Sequence, residues 1–169
     1  MTVDSFKFLP RLIAAFYQTT ERQPEYPIPW TPLSHPINEC KFSLVNSGGI
    51  YLKASQPPFD VEREKLEPTW GDPTFRIIPA STQQDEIGVS HLHYNHADVL
   101  EDINILLPVQ RFQELEAEAT IGSLAKNVYS FMGYQGYPPD PGAWREVYSP
   151  QVAKKLRAEG VNCILLTPA

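Results

Sequence analysis

Cysteine is scarce in this chain, and what little there is excludes a disulfide framework: Cys40 and Cys163 lie far apart and neither belongs to a C-x-x-C pair. Both fall in or beside apolar strand-like stretches, where a reduced, buried thiol is the ordinary expectation. Long apolar runs are also missing. Nothing approaches the roughly 20 residues that span a bilayer, so no membrane partner is expected. The opening MTVDSFKFLPRLIAAFYQ carries Asp4, Lys7 and Arg11 and no small-residue cleavage site, which makes a poor signal peptide and a cytoplasmic location the expectation. Neither the G-x-G-x-x-G spacing of a dinucleotide site nor the Gly-Lys-Ser/Thr ending of a P-loop occurs, so nucleotide binding has little support. Basic residues are outnumbered, 14 Lys and Arg against 20 Asp and Glu, for a formal net charge of −6. A surface of that sign repels phosphate backbones, and nucleic acid is not an expected partner.

What remains is an ordinary composition, 42% hydrophobic and 20% charged, over 169 residues, enough for one core. Proline is abundant and unevenly placed. Residues 1–39 divide into a short amphipathic helix from Ser5 to about Thr20, with Phe6, Leu9, Leu12, Ile13 and Phe16 on one face, and the strap RQPEYPIPWTPLSHP. Five prolines in those fifteen residues remove backbone donors and enforce an extended, non-sheet path. Tyr26, Ile28, Trp30 and Leu33 are expected to pack it over the domain's own surface.

Residues 40–169 read as an α/β domain with a mainly parallel sheet flanked by helices. CKFSLVNSGGIYLKA predicts a strand, a turn at Ser47-Gly48-Gly49 and a second strand. TFRIIPA and EIGVSHLHY predict two more. Pro108 opens a helix whose inner face is Val109, Phe112, Leu115 and Ala119, and VYSFMGY is again strand-like. In the last unit Ser149 suits an N-cap and Pro150 the first helical position; Val152, Ala153 and Leu156 form the inner face and Gly160 the stop. Val161 to Leu166 is almost wholly apolar, as in a parallel strand covered on both faces.

SHLHYNHAD concentrates three of the four histidines, His91, His93 and His96, beside Tyr94. On a strand His91 and His93 share a face, and a turn at Asn95 would bring His96 round to complete three nitrogen ligands for one loosely held divalent ion. H-x-H-x-x-H is similar to the metallo-β-lactamase motif, but Asn95 stands where that motif has Asp and no histidine follows His96, so a two-zinc hydrolase is not expected. Histidines that hydrogen-bond a loop, or that bind an anionic substrate, are the alternatives. The amides of Asn46-Ser47-Gly48-Gly49 similarly allow either a nest for a carboxylate or phosphate or a plain turn. Since glycine turns and strand ends gather on one edge of an open α/β sheet, Ser47, Gly48, Gly49, His91, His93, Tyr94 and His96 are the candidate substrate-binding residues.

Several stretches, in order and spacing, resemble one family. They are FSLVNSGGIYLK with QPPFD behind it, GDPTFRIIP, VSHLHYNHADVLEDINILLPVQRFQEL, IGSLAKNVYSFMGYQ and VAKKLRAEGVNCILLTP. The family is the glycine/sarcosine/betaine/D-proline reductase selenoprotein B family, and the likeness runs from about residue 40 onward. It implies a selenolate or thiolate that attacks the carbon bearing an amino group, a small amino-acid or quaternary-amine substrate activated by a carbonyl group on a partner subunit, other reductase subunits as partners, and an oligomer. No further cofactor is implied. The nucleophile is implied to follow Ala169, and the catalytic residues are otherwise left unassigned. The expectation is that a UGA codon for selenocysteine follows that of Ala169; a shortened chain and a degenerate, non-catalytic homologue of the same fold are the alternatives. A His-based metal-binding protein is the remaining reading.

Overall fold

A computed structural model of the chain describes residues 10–12, 14–15 and 31–169. The chain divides into two units, residues 1–32 and 33–169. In the first, residues 11–12 and 14–15 are helical, and most of the expected amphipathic helix and of the proline-rich strap lies outside the described residues. In the second, residues 33–36 are irregular and lead into a 3-10 turn at Ile37–Glu39. Leu33 is exposed rather than packed, a correction to the expectation for that residue.

Beyond this turn run β1 (Lys41–Asn46), β2 (Ile50–Leu52), α1 (Val61–Leu66), β3 (Phe75–Pro79), β4 (Ile87–Val89), α2 (Ala97–Glu101), α3 (Val109–Ala117), β5 (Ser123–Leu124), β6 (Asn127–Phe131), α4 (Ser149–Ala158) and β7 (Cys163–Thr167). β1 organises the main sheet. β7 pairs with it in parallel from Phe42↔Cys163 to Asn46↔Thr167, taking one edge. β5 and β6 share the other edge, β5 beside Lys41 and Phe42 and β6 beside Val45 and Asn46, both parallel. β3 joins β6 antiparallel, and β2 with β4 form a separate antiparallel pair. The fold is therefore α/β with a mainly parallel sheet flanked by helices.

Period-2 alternation assigns side chains to two cores. Leu44, Ile78 and Val128 point to the face covered by β2, β4, α2 and α3, and cluster with Ile50, Ile87 and Ile103. Their neighbours Val45, Ile77 and Tyr129 point the other way, under α4, with Phe131, Val152 and Leu156. Each fully buried Leu or Ile in these clusters stabilises the fold by about 1.5–3 kcal/mol.

Three local expectations need correction. His91 and His93 are not on a strand, because β4 ends at Val89 and residues 92–94 are a bend. The α3 helix stops at Ala117, and Ala119 takes a left-handed φ of 56° just beyond it, so it is part of the helix stop rather than of the inner face. Ser149 is no N-cap either. Helical backbone begins near Gly142, whose N–H is capped by Asp140 Oδ1 at 2.9 Å, and passes through a π turn at Trp144–Tyr148 into α4. The wider turn accommodates Pro150, which cannot donate to the ladder, without breaking the helix.

The terminal strand differs from its expectation as well. Ile164 and Leu166 are 46% and 70% exposed, because α4 lies over β1 and β6 and leaves the same face of β7 uncovered. Cys163 is half-buried, not buried, although desolvation, with Cys40 adding to it, still pushes its thiol pKa up. Cys40 is buried, as expected. Gly160, at φ 73°, ends α4 as its position suggests.

Candidate functional site

At the C-terminal edge of the parallel strands, β1 runs into the Ser47-Gly48-Gly49 turn, and three other segments meet it. The chain from β6 arrives at Met132 and Gly133, the chain from β4 at Ser90 and His91, and the chain from β7 at Pro168 and Ala169. Gly49 has a φ of +67°, and a Cβ there would lie 2.1 Å from the Ser90 carbonyl oxygen, so only glycine fits. A Cβ on Gly133 would stand 3.0 Å from the Ser47 carbonyl oxygen and 3.2 Å from His91 Nε2. Tyr94 closes the group by donating its hydroxyl to the Gly48 carbonyl at 2.7 Å. Ser47 Oγ accepts the Ala169 N–H at 3.0 Å.

The turn is not a vacant anion nest. The Gly48 N–H is held by Asn46 Oδ1 at 2.8 Å, the Gly49 N–H by the Phe131 carbonyl at 2.8 Å and the Ser47 N–H by the Thr167 carbonyl at 3.3 Å. All three amides already have acceptors, which corrects that reading of the sequence.

On one side of Ser47 lies the histidine bend. The His91 ring accepts the His93 N–H at Nδ1, 3.1 Å away, which places its own hydrogen on Nε2. Burial, with His93 and His96 nearby, depresses the His91 pKa to about 4, so the ring is neutral at physiological pH. His93 Nε2 is 2.7 Å from Glu64 Oε1, and its ring stacks on Tyr134 at 4.4 Å. His96 Nε2 bonds to the His91 carbonyl. The three histidines are thus neighbours whose nitrogens serve different partners. Among the described residues no group of three or more His, Cys, Asp or Glu is disposed to hold a metal ion. Desolvation pushes the Tyr94 hydroxyl up to about 12, leaving it a neutral donor.

On the other side of Ser47 lies a pocket of about 420 Å³ lined by Val45, Asn46, Ser47, Phe131, Trp144, Ser149, Leu166, Thr167 and Pro168. None of these side chains is charged. The Trp144 ring meets Phe131 edge-on at 5.5 Å. Asn46 is 2% exposed, at the point where β1 enters the turn.

The selenoprotein B family of glycine/sarcosine/betaine reductases has a sequence model that matches residues 9–169, which include both sides of this edge. The chain belongs to that family. Among curated relatives, the γ subunit of D-proline reductase from Acetoanaerobium sticklandii is 33% identical over 138 residues, which are 82% of this chain and 52% of that protein. The β subunit of sarcosine reductase complex component B from Peptoclostridium acidaminophilum is 27% identical over 150 residues, 85% of this chain and 32% of that subunit. The γ subunit of glycine reductase complex component B from Carboxydothermus hydrogenoformans is 26% identical over 140 residues, 83% and 30% of the two chains. The chain therefore spans between about a third and about half the length of these curated relatives. No solved structure matches it. Among the described residues no helix is long and apolar enough to cross a membrane.

Of the residues singled out from sequence, Ser47, Gly48, Gly49, His91 and Tyr94 are brought together at this edge. His93 and His96 sit one shell outward, on Glu64 and on the His91 carbonyl. Sequence reasoning missed Phe131, Trp144 and Glu64, and took Asn46 for its backbone amide rather than its side chain. A polar Asn ending the apolar run of β1 was a usable signal. Glu64, on a charged six-residue helix, carried none.

Proposed function

We propose that this chain is the substrate-holding part of a reductase-complex subunit that cleaves a carbon–nitrogen bond of a small amino acid or quaternary amine. The single observation that carries the reading is the meeting of an uncharged, aromatic-lined pocket with the Ser47 turn and Ala169 at the C-terminal edge of a parallel sheet, where open α/β folds bind ligands. In this reading a selenolate or thiolate of the reductase complex works at this edge. It would supply the electron pair that forms a bond to the amine-bearing carbon as the carbon–nitrogen pair departs on nitrogen, with net reducing equivalents coming through other subunits. The chain's own residues do the rest. Phe131 and Trp144 enclose the substrate and exclude water; the Ser47 turn and its ties to Gly133, Ser90 and Tyr94 hold the edge rigid; neutral His91 adds no charge to compete with a cationic amine.

Trp144 reports directly on this pocket. Titrating the chain with glycine, sarcosine, betaine and D-proline, up to about 10 mM, ten times the ordinary ceiling for Michaelis constants, should give a saturable change in tryptophan emission with at least one of them. That change should vanish in Trp144→Leu. If none of the four gives a saturable signal or heat of binding to the folded protein, the reading fails.

A further inference from the structure

β7 is incompletely covered on two counts. It pairs with β1 alone, so its outer edge has no strand beside it among the described residues. Its face toward α4 is open too. Ile164 and Leu166 stand 46% and 70% exposed, although apolar residues of a parallel strand are ordinarily covered by a helix. Between them and α4 runs a groove, with a cleft of about 170 Å³ lined by Val45, Phe131, Val152, Ala153, Ile164 and Leu166. Phe131 and Leu166 also line the larger pocket, so the two share walls. On the helix side, Arg157 follows Ala153 by one turn, and Lys154 stands at i,i+3 from Arg157 on the outer face. Both cations are exposed, and neither forms an ion pair with another described residue. No acidic residue occurs in α4 from Ser149 to Ala158. The groove thus has a basic rim in a chain whose net charge is −6.

We infer that the open face of β7 is a docking surface for an amphipathic helix of a partner polypeptide, apolar where it lies over Ile164 and Leu166 and acidic along the flank beside Lys154 and Arg157. This goes beyond the function proposed above, because it concerns a wall of the pocket and not its ligand. The width of the gap selects the occupant. Neighbouring strands lie about 4.8 Å apart and packed helices about 8–10 Å, so one helix covers roughly two strands. α4 covers β1 and β6 and leaves β7 to a second helix beside it. A second copy of this chain does not supply that helix. Two copies joined edge to edge through β7 would hold their α4 helices roughly 19 Å apart, four strand spacings, and a strip as wide as a helix would stay open between them. Cations would line both banks of that strip, where like charges repel, whereas an acidic flank complements the rim. Once seated, the partner helix covers Leu166 and closes that side of the pocket, which becomes a cleft between two polypeptides.

The probe is a fluorescein-labelled helical peptide of about 18 residues, five turns, with leucines on one face and glutamates flanking them, compared with a twin that carries lysines in place of the glutamates. Read by fluorescence polarisation on the intact chain at low ionic strength, the acidic peptide should bind saturably and at least about tenfold more tightly than its twin. Leu166→Asp alters a residue already 70% exposed and should weaken the acidic peptide by at least about tenfold. Lys154→Glu combined with Arg157→Glu should reverse the preference between the twins. No saturable binding of the acidic peptide up to about 1 mM, or equal binding of the two peptides, overturns the inference. Binding that neither variant changes overturns the assignment to this face. A chain that sediments as a dimer and turns monomeric in Leu166→Asp gives the face to a second copy, which overturns the inference as well. The proposed function is tested separately, by small molecules in the pocket, and stands or falls independently of these outcomes.

Discussion

The two sides of the Ser47 turn differ in the polar atoms they leave unpaired. On the pocket side this is one donor, Trp144 Nε1, in apolar surroundings, while Asn46 Nδ2 lies on the opposite face of β1 beside Ser130. On the histidine side they are a donor, the Nε2–H of His91, and an acceptor, Glu64 Oε2, within a web in which the other atoms already bind one another. The bend is a web of polar groups that already bind one another, and the pocket is uncharged, aromatic-lined space beside it.

The strongest way to break this division is to remove what both sides share. Gly49→Ala forces a side chain into a left-handed backbone and against the Ser90 carbonyl, 2.1 Å from the new Cβ. It should destabilise the protein by about 4 kcal/mol in urea unfolding, since neither backbone segment can move aside.

A smaller effect belongs to the histidine side alone. His91 titrates at about 4 in the folded chain against 6.5 for an ordinary histidine. Between those values the unfolded chain binds a proton that the folded one refuses, because burial, with His93 and His96 nearby, disfavours the charged ring. The stabilisation is complete above pH 6.5 and is lost as the pH falls toward 4, a change of roughly 3 kcal/mol. Urea midpoints measured from pH 7.5 down to pH 4 should fall along that window, and His91→Gln should flatten the slope.

The least effect on stability is expected in the pocket. Trp144→Phe removes an N–H that has no partner in the folded chain, so thermal unfolding should shift by the equivalent of about 0.5 kcal/mol or less. A loss of several kcal/mol would mean that the indole nitrogen serves the fold, and the contrast between the two sides would disappear.

How much of this was legible in the sequence follows from the range of the forces involved. β1, β3 and β6 announce themselves because alternating apolar residues reflect burial on the two faces of a sheet, and the stop at Gly160 because a left-handed position favours glycine. The meeting of Ser47-Gly48-Gly49 with His91 was legible from the rule that strand ends collect on one edge. Ser149-Pro150 misled because an N-cap and a π turn present the same residues, and only the helical backbone from Gly142 distinguishes them. The exposure of Ile164 and Leu166 was hidden for a similar reason: an apolar strand records what it prefers, not where α4 happens to lie. Trp144 reaches the pocket through its contact with Phe131 across the sheet face, a relation that no local pattern encodes.

The bond from Ala169 to Ser47 joins residues 122 positions apart, and the Asn162 to Lys41 bond at the other end of the same strand pair joins residues 121 apart. Loop-closure entropy opposes contacts of that separation until the intervening chain is largely organised. Among the named strands β7 pairs only with β1, so Leu166 and Thr167 reach the pocket through that one pairing. Contacts of this separation are expected to form late, so a partly folded chain should carry the histidine bend before the pocket beside it is complete.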